Sequence, residues 1–203
     1  MIRFAHRAKG GVLLGTTPGC HGPFGVGTGA ESGPQARQIR LVPRPYTHPD
    51  AHALLHALYA EQVALYGFAD HPDTTEPRDL EPPDGLFVVV YEGHMPIGCG
   101  GWRTAAGAAA EVKRLYIGPD QRGRGHGSHL LATLEHTAAQ AGARHLVVET
   151  GVHNALALAL FGGAGYTPRP PYVAGRDPSV NRAMTKPLLR VAAAGRPLSA
   201  PPR

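Results

Sequence analysis

The sequence predicts a single α/β (α+β) domain, and three observations predict it. Apolar segments of strand length and of helical period take turns between about residues 39 and 188. Gly, Pro, Asn and Asp punctuate them at regular intervals, and no internal repeat is visible. A chain of 203 residues, 42% of them hydrophobic, suits one ordinary domain with a real core.

In order, Ile39 to Val42 is a short strand ending at Pro43. Asp50 precedes a helical pattern carrying Leu54, Leu55, Leu58, Val63 and Leu65, which stops at Gly67. A polar, proline-rich loop follows from Ala69 to Asp84. Leu86 to Tyr91 is a strand, Glu92-Gly93-His94 turns it, and Ile97 to Trp102 returns. Ala109 to Ile117 is the next strand, and Gly118 to Gly125 is a loop. A helix then runs to about Ala141 with Leu130, Leu131, Leu134 and Ala138 as its apolar stripe. His145 to Thr150 is a strand. The run from Ala155 to Leu160 alternates and fits strand or helix; Ala and Leu favour helix and Asn154 can cap it. Tyr166 to Pro187 holds two more strands around a Pro- and Gly-rich loop.

The ends read differently. Residues 1–37 are rich in Gly and Pro with no hydrophobic period, as expected of a disordered tail or of a start placed too early; residues 190–203 look like a second tail. The folded domain is therefore expected over residues 38–189.

A net charge of +5 fits an anionic ligand, either a phosphorylated cofactor or nucleic acid. Cys20 and Cys99 form no CxxC pair, so neither a disulfide framework nor a thiolate zinc site is expected; no metal is expected, and the default compartment is a reducing cytoplasm. The longest apolar runs fall far short of the ~20 residues of a membrane span, so no membrane association is expected.

The informative segment runs from Leu115-Tyr116-Ile117 through Arg122-Gly123-Arg124-Gly125-His126-Gly127-Ser128. It leaves a hydrophobic strand and enters an amphipathic helix. A helix start offers unpaired N–H groups and a positive dipole end, and glycines let a phosphate approach the backbone. Arg122 and Arg124 add cationic donors. No Gly-Lys-Ser/Thr is present, and glycines at 123, 125 and 127 break the GxGxxG spacing, which excludes a Walker loop and a dinucleotide fingerprint. Arg-Gly-Arg-Gly alone also fits a surface loop or an RNA-binding box. No RNP-type aromatic strand accompanies it, so nucleic acid is not the expected partner.

Arg122-Gly123-Arg124-Gly125-His126-Gly127 resembles the R/Q-x-x-G-x-G/A signature of the GNAT acyltransferase superfamily. Ala110 to Ile117 resembles that family's fourth strand. Glu149-Thr150-Gly151 and then Asn154 to Tyr166 resemble its fifth strand and fourth helix, and the order holds over residues 39–188. The resemblance implies a mixed, mostly antiparallel sheet of about seven strands with four helices, splayed at strands four and five. It implies acetyl-CoA as co-substrate and an amine as acceptor. The backbone from Arg122 to Ser128 would hold the pyrophosphate, that of Leu115, Tyr116 and Ile117 would pair with the pantetheine arm, and Asn154 would contact the cofactor near the fifth strand. A homodimer is common among such folds, but nothing in the sequence specifies an interface.

Acyl transfer requires a neutral amine, so a base must take a proton. Glu111 matches a glutamate that serves as base in the histone-acetylating branch of the superfamily; the alternative is an ion pair with Lys113 or another cation. Period-two geometry expects Glu111 on one face with Lys113, Leu115 and Ile117. Glu149, on the neighbouring strand, could activate or orient a water, but the favoured reading is structural, paired with Arg144 or another cation. His153 could relay a proton, but a lone His is more often a surface or packing residue, and His126 is read as a loop residue near the phosphate. Phe161 is the departure: the matching cofactor-side position is a tyrosine in many members, proposed to protonate the leaving thiolate. The acceptor site is expected between the first helices, Trp102 and the loop of Tyr172, with Tyr59, Glu61, Tyr66, Asp70 and Asp73 as candidates for recognising a cationic amine. A small-molecule amine is the leading acceptor. A protein amine, or a catalytically degenerate sensor that only binds acyl-CoA, are the alternatives.

Overall fold

The computed structural model describes residues 38–189; the two expected tails lie outside the described residues. The elements follow in the expected order: β1 (Ile39–Pro43), α1 (Pro49–Tyr66), β2 (Gly85–Glu92), β3 (Met95–Ala105), β4 (Ala109–Ile117), α2 (His126–Gln140), β5 (His145–Gly151), α3 (Ala155–Gly163), β6 (Thr167–Pro168) and β7 (Asn181–Pro187). They build one seven-stranded sheet in the order β1-β2-β3-β4-β5-β7-β6. All neighbours are antiparallel except β4 and β5.

Three α-helices are present among the described residues, not the four that the resemblance implied. The missing one falls in the proline-rich stretch, which forms only short 3-10 turns at Pro72–Thr74 and Pro77–Leu80. Pro72, Pro77, Pro82 and Pro83 each lack an N–H, so a continuous i→i−4 ladder cannot form there. Helix α1 also starts earlier than Asp50: His48 is its N-cap, and the His48 Nδ1 accepts from the Asp50 N–H at 3.2 Å. Asn154 caps α3 as expected, its Oδ1 accepting from the Ala157 N–H at 3.0 Å, which resolves the strand-or-helix ambiguity in favour of helix.

Both faces of the sheet are covered. Leu54, Leu55 and Leu58 of α1 pack on Phe87, Val89, Tyr91, Cys99 and Tyr116. Leu130, Leu131 and Leu134 of α2, with Phe161 of α3, pack on Val88, Val90, Val112 and Ile117. Alternate residues of β2 therefore feed opposite cores, which explains its unbroken apolar run.

Two features of β4 shape the site. The first is a bulge. The β3–β4 register passes from Cys99↔Tyr116 to Gly101↔Lys113, so one extra residue stands in β4. Arg114 absorbs it at φ 57, in the left-handed region that costs a non-glycine residue about 1–3 kcal/mol. Its side chain is held by donation to the carbonyls of Asp70 (3.1 Å) and His71 (3.3 Å) and to Thr75 Oγ1 (2.8 Å). The bulge corrects the expected facing: Leu115 and Ile117 join Val112 on the α2 side, whereas Tyr116 lies on the α1 side. A one-residue insertion reverses the side-chain alternation beyond it. The second feature is a splay. Pairing of β4 with β5 stops at Glu111↔Val147, so the β5-facing edge of β4 has no ladder partner from Val112 onward.

Candidate active site

The splay opens into two clefts that meet. One, of ≈ 300 Å³, runs along Leu115–Ile117, the Arg122–Ser128 loop and the N-terminal turns of α3. The other, of ≈ 180 Å³, lies between Val112–Leu115 and Val148–Gly151. Leu58, Leu115, Asn154 and Ala157 line both, so the two form a continuous passage across the end of the sheet.

At the first cleft, Gly125 is the N-cap of α2 with φ 82, and no side chain caps the helix. The backbone N–H groups from Gly123 to Ser128 donate to no protein acceptor among the described residues. These unsatisfied donors at a helix start, beside glycines whose Cα atoms open onto empty space, fit a phosphate-bearing ligand. The two arginines differ from expectation. Arg122 donates to Glu61 Oε2 at 2.6 Å and to the Ile117 carbonyl at 2.8 Å, and it lies over the Tyr116 ring. It braces the loop against α1. Arg124 is exposed and donates to Gln121 Oε1 at 3.0 Å. His126 lines the cleft, and its Nε2 is buried with no partner among the described residues.

The second cleft holds Glu149, Asp70, Arg176 and Tyr66. Arg176 spans both carboxylates, with Nη2 2.7 Å from Asp70 and Nε 3.3 Å from Glu149. The Arg176 hydrogen bond holds Asp70 below the usual carboxylate range despite partial burial. Glu149 goes the other way: burial raises its pKa, and Arg176 and Lys113 only partly offset that. Its Oε1 is buried without a hydrogen-bond partner among the described residues. Phe161 also lines this cleft, is 3% exposed, and packs its ring 5.3 Å from that of Tyr166.

Glu111 lies apart from this passage. It is buried, and both oxygens are engaged: Oε2 accepts from Arg103 at 2.9 Å, and Oε1 accepts from Lys113 at 3.3 Å and from the Tyr172 hydroxyl at 3.0 Å. Burial alone would raise its pKa, but Lys113, Arg103 and these hydrogen bonds together bring it below the ordinary value. Burial and the Glu111 charge push the Tyr172 phenol far up. Trp102 is not at the acceptor end either. It is a core residue whose indole N–H donates to Thr137 Oγ1 at 2.9 Å, because its strand position faces α2. Of the residues expected to recognise an amine, Tyr66 and Asp70 line the second cleft, Glu61 lines the first, and Tyr59 and Asp73 line neither.

Sequence reasoning missed Arg176, which reaches Asp70 across 106 residues and is the cation that pairs with Glu149. Arg176 stands in a loop with no periodic pattern, so no local signal marks it.

Comparison with known proteins agrees with this architecture. Residues 51–166 match the acetyltransferase (GNAT) family. An IAA acetyltransferase of Azospirillum brasilense is 37% identical over 113 residues, covering 55% of this chain and 73% of that protein. A solved structure from Klebsiella pneumoniae, described as an acyl-CoA N-acyltransferase, is 28% identical with a TM-score of 0.65, over 75% of this chain and 99% of its own. An IAA acetyltransferase from Bacillus cereus shares the fold at 18% identity and a TM-score of 0.57, over 74% of this chain and all (100%) of its own. The matched segment holds the splayed strands β4 and β5, the bulge in β4 and the open N–H loop ahead of α2, and the chain belongs to the acetyltransferase (GNAT) family.

Proposed function

We propose that this chain moves an acetyl group from acetyl-CoA to a primary amine of a small molecule, with Glu149 as the proton acceptor. The observation that carries this reading is the continuous passage from the open N–H loop to the Glu149 carboxylate. The N–H groups of Gly123 to Ser128 would hold the pyrophosphate, and the unpaired edge of β4 would meet the pantetheine amides. Acetyl-CoA supplies an acyl carbon already activated by a thiol leaving group.

An aliphatic amine has a pKa of about 10, so at neutral pH it arrives as the ammonium. Glu149 lies in the cleft with one oxygen unengaged and a raised proton affinity, the two properties a general base needs. It takes the ammonium proton directly or through water; the neutral nitrogen then bonds to the acyl carbon as the C–S bond breaks, the electron pair leaves on sulfur, and the second nitrogen proton passes to water or to the departing thiolate. Glu111, locked by two cations and a phenol, anchors the β3–β4 hairpin and Tyr172 in this reading. Asp70, Tyr66 and Arg176 would orient the acceptor.

The deciding experiment is thiol release from acetyl-CoA against a panel of primary amines, with IAA run as a separate acceptor because of the Azospirillum brasilense relative's name. Release that depends on a primary amine supports the proposal. Tight acetyl-CoA binding with no release on any acceptor would favour a sensor, a reading for which Phe161 is the specific support. No binding at all would remove both.

A further inference from the structure

On the outer side of α1, away from the clefts, His52 and His56 stand one helical turn apart with ring centroids 4.2 Å apart and planes tilted by 54°. Their Nε2 atoms face each other at 3.0 Å. Asp73 completes a cluster in which one ligand atom of each residue lies within 4.8 Å of the others. We propose that His52, His56 and Asp73 form a binding site for a divalent cation of the zinc class.

Three physical points support it. A neutral imidazole has one N–H and one lone pair, so two Nε2 atoms in contact either use one as donor or share a cation. A tetrahedral ion with metal–nitrogen distances of about 2.0–2.1 Å separates its ligand atoms by roughly 3.3 Å, close to the spacing the two histidines already have. Two imidazoles with one carboxylate suit zinc and its neighbours, and not Mg²⁺ or Ca²⁺, which take oxygen ligands.

The third ligand is preorganised. Asp73 sits in the short turn at Pro72–Thr74. That turn is tied down by the Tyr46 hydroxyl donating to the Pro72 carbonyl at 3.0 Å, and by Arg114 and Thr74 donating to the His71 carbonyl at 3.3 and 2.7 Å. His71 adds a neighbour: its Nδ1 is 3.4 Å from Asp73 Oδ2, and its ring centroid is 5.6 Å from that of His56. Water would fill the fourth position, since the His71 Nδ1 accepts from the Asp73 N–H at 3.4 Å. His52 and Asp73 are exposed, which gives the ion a direct entry path. The bound ion would fasten α1 to the loop that also carries Asp70 into the second cleft. The sequence expectation of no metal rested on cysteine spacing, which does not register an imidazole and carboxylate set.

The test is calorimetric titration of the chelator-treated full chain with Zn²⁺ in a background of Mg²⁺. One ion per chain should bind, and His52→Ala and His56→Ala should each weaken it by more than the ~10-fold that a lost supporting contact costs. The chain has 12 histidines, so the double variant is the control for binding elsewhere. Zn²⁺ should raise the melting temperature of the wild type and not of the double variant, because only a ligand of the native site stabilises the fold. Both histidines are on the surface side of α1, so the variants should fold, which circular dichroism checks. A double variant that binds Zn²⁺ like the wild type, or a wild type that shows no binding up to about 1 mM, would overturn the proposal.

Discussion

Glu149 and Arg176 are in contact but incompletely matched: the Arg176 Nε lies 3.3 Å from Oε2, while Oε1 is buried with no hydrogen-bond partner among the described residues. A carboxylate held in this way keeps a lone pair for a substrate proton and resists ionisation. Glu111, by contrast, has both oxygens engaged.

Glu149→Gln should therefore lower kcat by about 10²–10⁴-fold with little effect on acetyl-CoA affinity. The base works only when ionised, so the wild-type rate should rise with pH through a value above that of an ordinary glutamate. The glutamine variant should lose that limb and keep any limb due to the amine itself. Arg176→Ala removes a charge that favours the carboxylate, and should move the limb to higher pH. Stability has the opposite sign from activity. A raised folded-state pKa stabilises the fold below the ordinary carboxylate range, and that contribution is lost as pH climbs through the raised value. At neutral pH, Glu149→Gln should therefore melt at the same temperature as the wild type or higher. Thermal melts and a pH–rate profile of the three proteins check this.

Glu111 should behave as its mirror image. Its folded-state pKa is depressed, so its contribution to stability is present above the ordinary carboxylate range and is lost as pH falls through the depressed value. Glu111→Gln weakens charge-assisted hydrogen bonds to Arg103 and Lys113, which should cost about 1.5–3 kcal/mol at neutral pH. The folded fraction should turn over at close to the wild-type rate. A loss of kcat by 10²-fold or more in a fully folded protein would make Glu111 the base after all.

The phosphate loop gives a paired test. Gly125 sits at φ 82, where a side chain costs roughly 1–2 kcal/mol, equivalent to a ~5–30-fold loss of affinity if binding must restore that conformation. Gly127 is in α2 without a positive φ, and an added Cβ would lie 3.6 Å from a Leu160 methyl carbon, an ordinary contact. Gly125→Ala should thus weaken acetyl-CoA binding by calorimetry, and Gly127→Ala should leave it nearly intact. Equal affinities in the two variants would separate the loop conformation from binding.

The fold was legible where local rules agree with the tertiary outcome. Gly67 ends α1, Asn154 caps α3, and the glycine-rich loop precedes α2, each for a reason visible in a few residues. The site was legible only in part, because its chemistry depends on register. Nothing in Val112-Lys113-Arg114-Leu115 marks Arg114 as the bulged residue, since the carbonyls of Asp70 and His71 that hold its side chain come from another part of the chain. The Arg103–Glu111 pair follows from their being cross-strand partners, which requires knowing how β3 and β4 align. Arg176 comes from a loop with no pattern of its own, so its meeting with Asp70 and Glu149 had no local signal.

Phe161 sets the last prediction. Its ring is buried in the α2-side core against Tyr166 and also borders the cleft with Val112, Leu115 and Asn154, so a side chain there can reach toward the reacting end. It offers no proton. A general acid matters most when the leaving group is a strong base, and a thiol has a pKa of only about 8.5. The thiolate can thus depart without full protonation. Phe161 should therefore not abolish turnover. Phe161→Tyr should raise the rate by ~10-fold or less, below the usual contribution of a full acid catalyst. The gain should shrink as pH approaches that of the thiol, because a thiolate that is stable in solution gains little from a proton donor. The measurement is a pH–rate profile of both proteins on one good amine. A wild type inert on every amine, alongside a Phe161→Tyr protein that turns over readily, would show that the thiolate cannot leave unaided here, and would make binding of acyl-CoA, not transfer from it, the native role of this cleft.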